Sequence, residues 1–182
     1  MLKGYGDIPY NGRGVVWSAL ATVTAPVIWS TAAGTGGPLL YNGSATSGGR
    51  GVTAFVLAIS AGITTTSGVA GTLGITGGPT TAPTSTTAID AVQCLRFVTG
   101  APTSPQCTPY RKGTVSAAGL GFFPVYDVDT GAQTVDTLVN GIQHLGGMVE
   151  VGPGNFASVA GSATLTTAVM SIGMVWIEIP ND

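Results

Sequence analysis

Apolar and β-branched residues recur along the chain in short runs, and Gly, Pro, Asn and Ser separate one run from the next. Such runs, bounded by turn-forming residues, are typical of β-strands. No long window keeps an apolar stripe at i, i+3 and i+4, so the pattern does not predict helices. The predicted strands are residues 15–18, 21–29, 38–41, 52–60, 68–75, 89–98, 113–117, 121–128, 133–139, 143–151, 156–160 and 165–179.

The connections carry residues that favour tight turns. Asn42-Gly43, Asp129-Thr130-Gly131 and Asn140-Gly141 supply the positive φ that short hairpin turns require. Residues 78–87 and 100–109 are rich in Thr and Pro, which predicts extended loops. Many short strands separated by turns predict an antiparallel sandwich or barrel.

The length of 182 residues fits one folded domain, which we place at residues 14–182. Residues 1–13 are rich in Gly and show no strand period, so we expect an extended N-terminal arm. Tyr5, Ile8 and Tyr10 are the side chains that would anchor this arm to a neighbouring subunit or to a partner surface beneath it. The alternative is a frayed terminus or a first edge strand.

Charge is scarce in this chain. Only 8% of the residues are charged, whereas an ordinary soluble domain has about 25%. No charged residue stands between Arg13 and Arg50 or between Arg50 and Asp90. Because surface charge keeps proteins apart in solution, we expect much of the exterior to contact other protein.

The run from Ala168 to Ile177 is apolar at alternating positions on both sides, apart from small residues. A strand of this kind is covered on both faces. We expect one face to meet the core and a neighbouring subunit to cover the other. The predicted contact residues of this strand are Met170, Ile172, Met174 and Trp176.

The ionisable side chains form no catalytic or metal-binding pattern. His144 is the only histidine, and no carboxylate and nucleophile stand at a spacing that would orient it. Asp127 and Asp129 resemble the start of a calcium loop, but the later ligands and the closing Glu are missing. Asp127, Asp129 and Asp136 are also candidate carboxylates of a glycosidase, but no second cluster of Asp or Glu stands at a partner position. We expect a turn here, no catalytic residue, no metal and no cofactor.

Three features leave alternatives open. Cys94 and Cys107 fit either a bridge across a long hairpin or two reduced core thiols. Asn42-Gly43-Ser44 matches a glycosylation acceptor, although the first residues lack a signal-peptide core and a turn is favoured. The aromatic residues fit a sugar-binding face or, preferably, core and interface packing; they are Trp17, Trp29, Tyr41, Phe122, Phe123, Tyr126 and Trp176.

Nucleic acid and membrane are not expected partners. The net charge is −2, and Arg111 and Lys112 are the only adjacent basic residues. The longest apolar-leaning run, residues 164–179, contains Thr166, Ser171 and Gly173 and is shorter than the ~20 apolar residues of a membrane-spanning helix.

Three stretches resemble virion proteins of tailed bacteriophages. They are Pro38-Leu39-Leu40-Tyr41-Asn42-Gly43, residues 80–90 (Thr-Thr-Ala-Pro-Thr-Ser-Thr-Thr-Ala-Ile-Asp) and residues 162–180, which end in Val-Trp-Ile-Glu-Ile-Pro. The likeness is to capsid decoration, or cement, proteins. It implies a jelly-roll sandwich that trimerises on the capsid exterior and clamps neighbouring capsomers, and it transfers no individual functional residue.

The sequence therefore predicts an all-β, antiparallel jelly-roll-like sandwich that forms a homotrimer. Its predicted function is that of a virion structural protein, made in the bacterial cytoplasm, which binds the major capsid protein on the capsid exterior. The alternative is a receptor- or glycan-binding domain of a phage tail or fibre protein. The number of copies per particle distinguishes the two.

Overall fold

The computed structural model describes residues 15–24, 26–30, 38–43, 51–65, 69–89, 91–94, 104–128 and 140–181. This part of the chain contains no helix, and therefore none that is long and apolar enough to cross a membrane. Its strands are β1 (Val15–Thr24), β2 (Leu39–Tyr41), β3 (Val52–Thr65), β4 (Gly71–Pro79), β5 (Thr84–Thr87), β6 (Ala91–Cys94), β7 (Thr108–Tyr110), β8 (Lys112–Thr114), β9 (Gly121–Val128), β10 (Asn140–Val151), β11 (Asn155–Gly161) and β12 (Val169–Pro180).

These strands form two five-stranded sheets and one short ribbon. Sheet A has the order β10-β3-β12-β1-β6, sheet B has the order β7-β2-β11-β4-β9, and β5 pairs with β8. All pairings between named strands are antiparallel. The predicted all-β class with antiparallel sheets is therefore confirmed.

The two sheets share one hydrophobic core. On β1 and β12 every second side chain is buried, and Trp17 lies directly opposite Trp176 in the register. Sheet B contributes Leu73 from β4 and Val159 from β11 to the same cluster. The period of two in the sequence produces this arrangement, because alternate side chains of a strand point to opposite faces.

The predicted strands match the long strands well and the short ones poorly. The predictions 15–18 and 21–29 overlap one continuous strand, β1, which ends at Thr24, so the second prediction extends too far. The prediction at 133–139 lies outside the described residues. β5 and β7 lie in segments that we predicted as loops. Their Thr- and Pro-rich sequences carry no apolar alternation, so only pairing with a distant segment makes them strands.

The outer face of sheet B is covered by the chain itself. Leu39, Val115 and Phe156 form a second buried cluster there, against which Tyr41 and Tyr110 pack. Beside it, Trp29 stacks on Phe122 with ring centroids 6.1 Å apart. This layer explains why both faces of β11 are buried.

Asn42 fastens the corner where β2, β3, β10 and β11 meet. Its side chain is fully buried, and its amide donates to the carbonyl oxygens of Val52 at 2.7 Å and Val151 at 2.8 Å. Its backbone N–H donates to the carbonyl of Asn155, and its own carbonyl accepts from Gly154. An amide held in this way is inaccessible to a glycosyl donor. The predicted positive-φ turns are wrong here, because Gly43 lacks a positive φ and Asn140-Gly141 lies within β10.

Candidate interaction surface

The outer side of β1, β12 and β3, which we call the open face, carries mostly small neutral residues. The side chains of β1 that alternate with the core belong to Ser18, Leu20 and Thr22. The register continues these rows across β12 and β3 with Val175, Gly173, Ser171, Ala58, Ser60 and Gly62. Leu20 and Thr22 are exposed, Ala58 is buried, and the other residues of these rows are half-buried. The centre of this outer side is therefore partly open to solvent.

The open face carries no charge. Glu178 is the only charged residue of β1, β3 and β12, and it points inward, opposite the core residue Ala54. Exposed sheet faces are ordinarily polar and charged. A neutral face with small side chains is instead suited to contact with another protein, because no charged side chain loses its hydration when the face is buried.

Larger apolar side chains flank the open face on both sides. Leu20 on β1 is 48% exposed, and Ile142 on β10 is 66% exposed. Ile142 lies opposite Ser60 in the register and so belongs to the same outer surface. His144 and Glu150 are exposed on β10, the edge strand. This surface thus has a centre of small uncharged residues, larger apolar side chains beside it, and an exposed carboxylate at the β10 edge.

Our predicted contact residues of β12 lie on the wrong side of the strand. Met170, Ile172, Met174 and Trp176 are 0–2% exposed and belong to the core between the sheets of this chain. They fill the inner face because they face β4 and β11 residues across the sandwich, and no second subunit is needed to cover them. The small residues between them lie on the open face instead. The arm residues Tyr5, Ile8 and Tyr10 lie outside the described residues.

Glu178 is a buried carboxylate held by three N–H donors. One oxygen, Oε1, accepts from the backbone N–H of Cys107 at 2.9 Å and from Trp176 Nε1 at 3.1 Å. The other, Oε2, accepts from the backbone N–H of Gln106 at 2.9 Å. Buried carboxylates are stable when their lone pairs are satisfied in this way. Glu178 therefore attaches the segment before β7 to the end of β12.

Cys107 is a free, fully buried thiol beside this carboxylate. Burial raises its pKa well above the ordinary thiol value, and the charge of Glu178 and a hydrogen bond to it raise the pKa further. A thiol of this kind is unreactive near neutral pH, since the thiolate is the nucleophile. The alternative of a bridge from Cys107 to Cys94 is therefore wrong for this structure.

Of the acidic and histidine candidates, only Asp127 and His144 lie within the described residues. Asp127 lies on β9 and accepts a hydrogen bond from the hydroxyl of Thr72 at 3.0 Å. Asp129 and Asp136 lie outside the described residues. Within the described ranges, no three His, Cys, Asp or Glu side chains are grouped as ligands for a metal ion.

The aromatic side chains do not form a common face. The core holds Trp17 and Trp176; the layer over sheet B holds Trp29, Tyr41 and Phe122; and the β9 edge holds Phe123 and Tyr126. Tyr126 donates its hydroxyl to the carbonyl of Ile59 at 3.2 Å, and burial raises its pKa. This dispersal favours the packing interpretation over a sugar-binding platform.

Comparison of the chain with models of protein families, with curated proteins and with solved structures finds no match.

Proposed function

We propose that this protein is a virion structural protein that binds the outside of a phage capsid as a trimer and cements neighbouring capsid proteins. The observation that carries the proposal is that the outer side of β1, β12 and β3 carries no charged side chain and is partly exposed. The sequence resemblance to decoration proteins adds the kind of partner. An interface of this kind holds its partner by shape and burial, without any reaction.

The strand order supports a jelly-roll topology for this sandwich. Without the insertion β5–β8 and its two edge strands, sheet A is β10-β3-β12-β1 and sheet B is β9-β4-β11-β2. Each sheet then has four antiparallel strands, and consecutive strands alternate between the sheets except β4 and β9, which are neighbours in sheet B. Two interleaved four-stranded sheets are the arrangement of a jelly roll, which occurs in viral capsid proteins and lectins.

The open sheet is large enough for a specific contact. Four long strands spaced about 4.8 Å apart, each of ten residues rising about 3.3 Å, cover roughly 600 Å². A standard protein interface buries about 800 Å² on each partner. The sheet therefore corresponds to the lower end of the range for specific interfaces, about 600 Å² per partner.

Cementing follows from linking several such contacts. In a trimer, three copies of the open face bind three capsid sites, and each bound site raises the effective concentration of the others. A weak single contact is then sufficient for stable attachment. The same linkage holds neighbouring capsid proteins together, because separating them breaks several contacts at once.

The test introduces charge into the open face. Ser18→Arg combined with Ser171→Arg places two cations on adjacent strands, and we expect co-sedimentation with capsids that lack the protein to weaken at least tenfold. Ala117→Arg is the matched control, because Ala117 is exposed on the loop over sheet B. Circular dichroism melting curves verify that the variants fold.

The number of copies of this protein in purified virions distinguishes a decoration protein from a tail or fibre protein. A copy number comparable with that of the major capsid protein supports the proposal. A copy number comparable with that of tail proteins would instead favour the receptor- or glycan-binding alternative. If the variant with Ser18→Arg and Ser171→Arg binds capsids as tightly as the wild type, the open face is not the capsid contact.

A further inference from the structure

One row of side chains crosses the outer side of sheet A with a large apolar residue at each end. Ile142 on β10 lies opposite Ser60 on β3. Ser60 lies opposite Gly173 on β12, and Gly173 lies opposite Leu20 on β1. Residues that lie opposite each other on neighbouring strands point to the same side of the sheet. Ile142 and Leu20 are both exposed, so the two ends of the row project apolar surface to the outside.

The middle of this row is low. Gly173 has no side chain, and a methyl group there would meet Ser60 Oγ at 2.5 Å, so the serine already occupies the space beside the glycine. The adjacent rows on β3 and β12 hold no residue larger than valine; they pair Gly62 with Ser171 and Ala58 with Val175. These six residues form the floor of a trough, and Leu20 and Ile142 form its walls.

The width of the trough matches an α-helix. β10 and β1 are separated by three strand spacings of about 4.8 Å, or roughly 14 Å. An α-helix with its side chains is about 10–12 Å across, so it fits along β3 and β12 between Leu20 and Ile142. A second sheet laid over all four strands would meet these two side chains first and leave a gap above the floor.

A second copy of this chain is a poor source of such a helix. The residues that the structure describes contain only strands, turns and connections. The sequence as a whole holds 29 Gly and 11 Pro, which disfavour helix, and its apolar pattern does not predict one. The helix therefore belongs to a different protein. Contact with one helix also agrees with the area of this side of sheet A, roughly 600 Å², which is at the lower end for a specific partner.

The trough also restricts which helix binds. None of its eight residues is charged. A charged side chain pressed against this floor would lose water without gaining a partner, which is costly. The matching helix therefore presents an uncharged stripe at positions i, i+3, i+4 and i+7, and small residues in the floor allow this stripe to approach closely.

We infer that the trough between Leu20 and Ile142 binds an α-helix of the capsid protein, which lies along β3 and β12. Leu20 and Ile142 contact the two sides of the helix and hold it in place. This inference deepens the proposed function and rests on it, because the proposed function provides the partner. It adds the element of the partner that is recognised and the two residues that recognise it.

Site-specific photo-crosslinking tests the kind of element that is bound. A diazirine side chain replaces Leu20 or Ile142 in the full chain, and the protein is irradiated on capsids that lack it. Leu120 is the control position, because it is exposed next to Gly78 of sheet B. We expect cross-links from positions 20 and 142 to fall on one segment of the capsid protein, at residues three or four apart. Position 120 should not label that segment.

Filling the trough tests its shape without adding charge. Ser171→Leu raises the floor, and we expect it to weaken co-sedimentation with capsids about tenfold or more. Ser18→Leu is the matched control, because Ser18 is on β1, outside the floor. This control should bind as the wild type does. Leu20→Ala combined with Ile142→Ala removes both walls and should weaken binding to a similar degree, and circular dichroism melting curves verify that the variants fold.

The outcomes separate this inference from the proposed function. Cross-linked residues two apart would indicate a strand, and cross-links to a second copy of this chain would indicate self-association. Either result overturns the inference, as does capsid binding that Ser171→Leu leaves unchanged, while the proposed function stands. A wild-type protein that does not sediment with capsids refutes the proposed function and this inference with it.

Discussion

At the scale of single residues, the Glu178 carboxylate is stable in the core because it satisfies three N–H groups at once. Gln106 and Cys107 donate their backbone N–H groups and Trp176 donates its indole N–H, all at 2.9–3.1 Å. The same side chain would be costly to bury without these donors. The segment that provides two of them leads directly into β7, so one residue links a connection to the central strand of sheet A.

We predict that Glu178→Ala lowers the free energy of unfolding by about 3 kcal/mol or more, because buried donors left without an acceptor each cost about 1–3 kcal/mol. Urea unfolding followed by tryptophan fluorescence measures the change. Glu150→Ala removes a carboxylate that is exposed on β10. This control should shift stability by less than about 0.5 kcal/mol, and equal losses in the two variants would contradict the role of Glu178.

The pKa of Cys107 predicts both its reactivity and a pH dependence. Burial, together with the Glu178 carboxylate, raises this pKa, so the folded protein keeps the thiol proton at a pH where the unfolded chain loses it. The contribution of the protonated Cys107 thiol to the free energy of unfolding is therefore complete below the ordinary thiol pKa of about 8.5. This contribution declines as the pH rises above that value.

We expect Cys107 in a Cys94→Ser background to resist a disulfide reagent at about pH 8 until urea unfolds the protein. Unfolding free energies measured on either side of the ordinary thiol pKa should decline with pH more steeply than in a Cys107→Ala variant of the same background. Fast labelling of the folded protein would show that the thiol is accessible and would contradict this prediction.

At the scale of elements, β4 and β9 approach each other closely because glycine leaves room for an aromatic ring. A methyl group at Gly74 would meet the Phe123 carbonyl oxygen and the Phe122 ring, whose nearest atom would be 2.7 Å away. Phe122 in turn stacks with Trp29 in the layer over sheet B. The cover of sheet B therefore depends on a position without a side chain.

We predict that Gly74→Ala destabilises the protein by about 1–3 kcal/mol, the usual cost of overpacking. Gly121 on β9 offers a matched control, since a methyl group there would have no neighbour within 4 Å. Gly121→Ala should be neutral or stabilise by up to about 1 kcal/mol, because it restricts the unfolded chain. Thermal melts of both variants measure the difference, and a tolerated Gly74→Ala would show that Phe122 moves freely.

At the scale of the whole molecule, the two sheets differ in how they meet their surroundings. Segments before β2 and around β8 pack on the outer side of sheet B, whereas Leu20, Thr22 and Ile142 are exposed on the outer side of sheet A. Glu178, the only charged residue of β1, β3 and β12, is buried. The described part of the molecule thus has one covered sheet and one neutral, partly exposed sheet face.

The sequence by itself determined the class of fold and most of the long strands. Short runs of apolar and β-branched residues between turn-forming residues, such as 52–60, predict strands from the local sequence alone. Scarcity of charge also predicted an exterior that suits protein contact. These features depend on local pattern or on composition, and both can be read along the chain.

Only the tertiary structure decided which face of a strand is inside and which distant segments meet. Both sides of β12 carry apolar residues, so its pattern did not tell that Met174 and Trp176 face the core while Ser171 and Gly173 face outward. Likewise, β5 becomes a strand through pairing with β8 from across a long insertion. The open face was not predictable for the same physical reason, because it is formed by β1, β3 and β12, which are distant in sequence and adjacent only after folding.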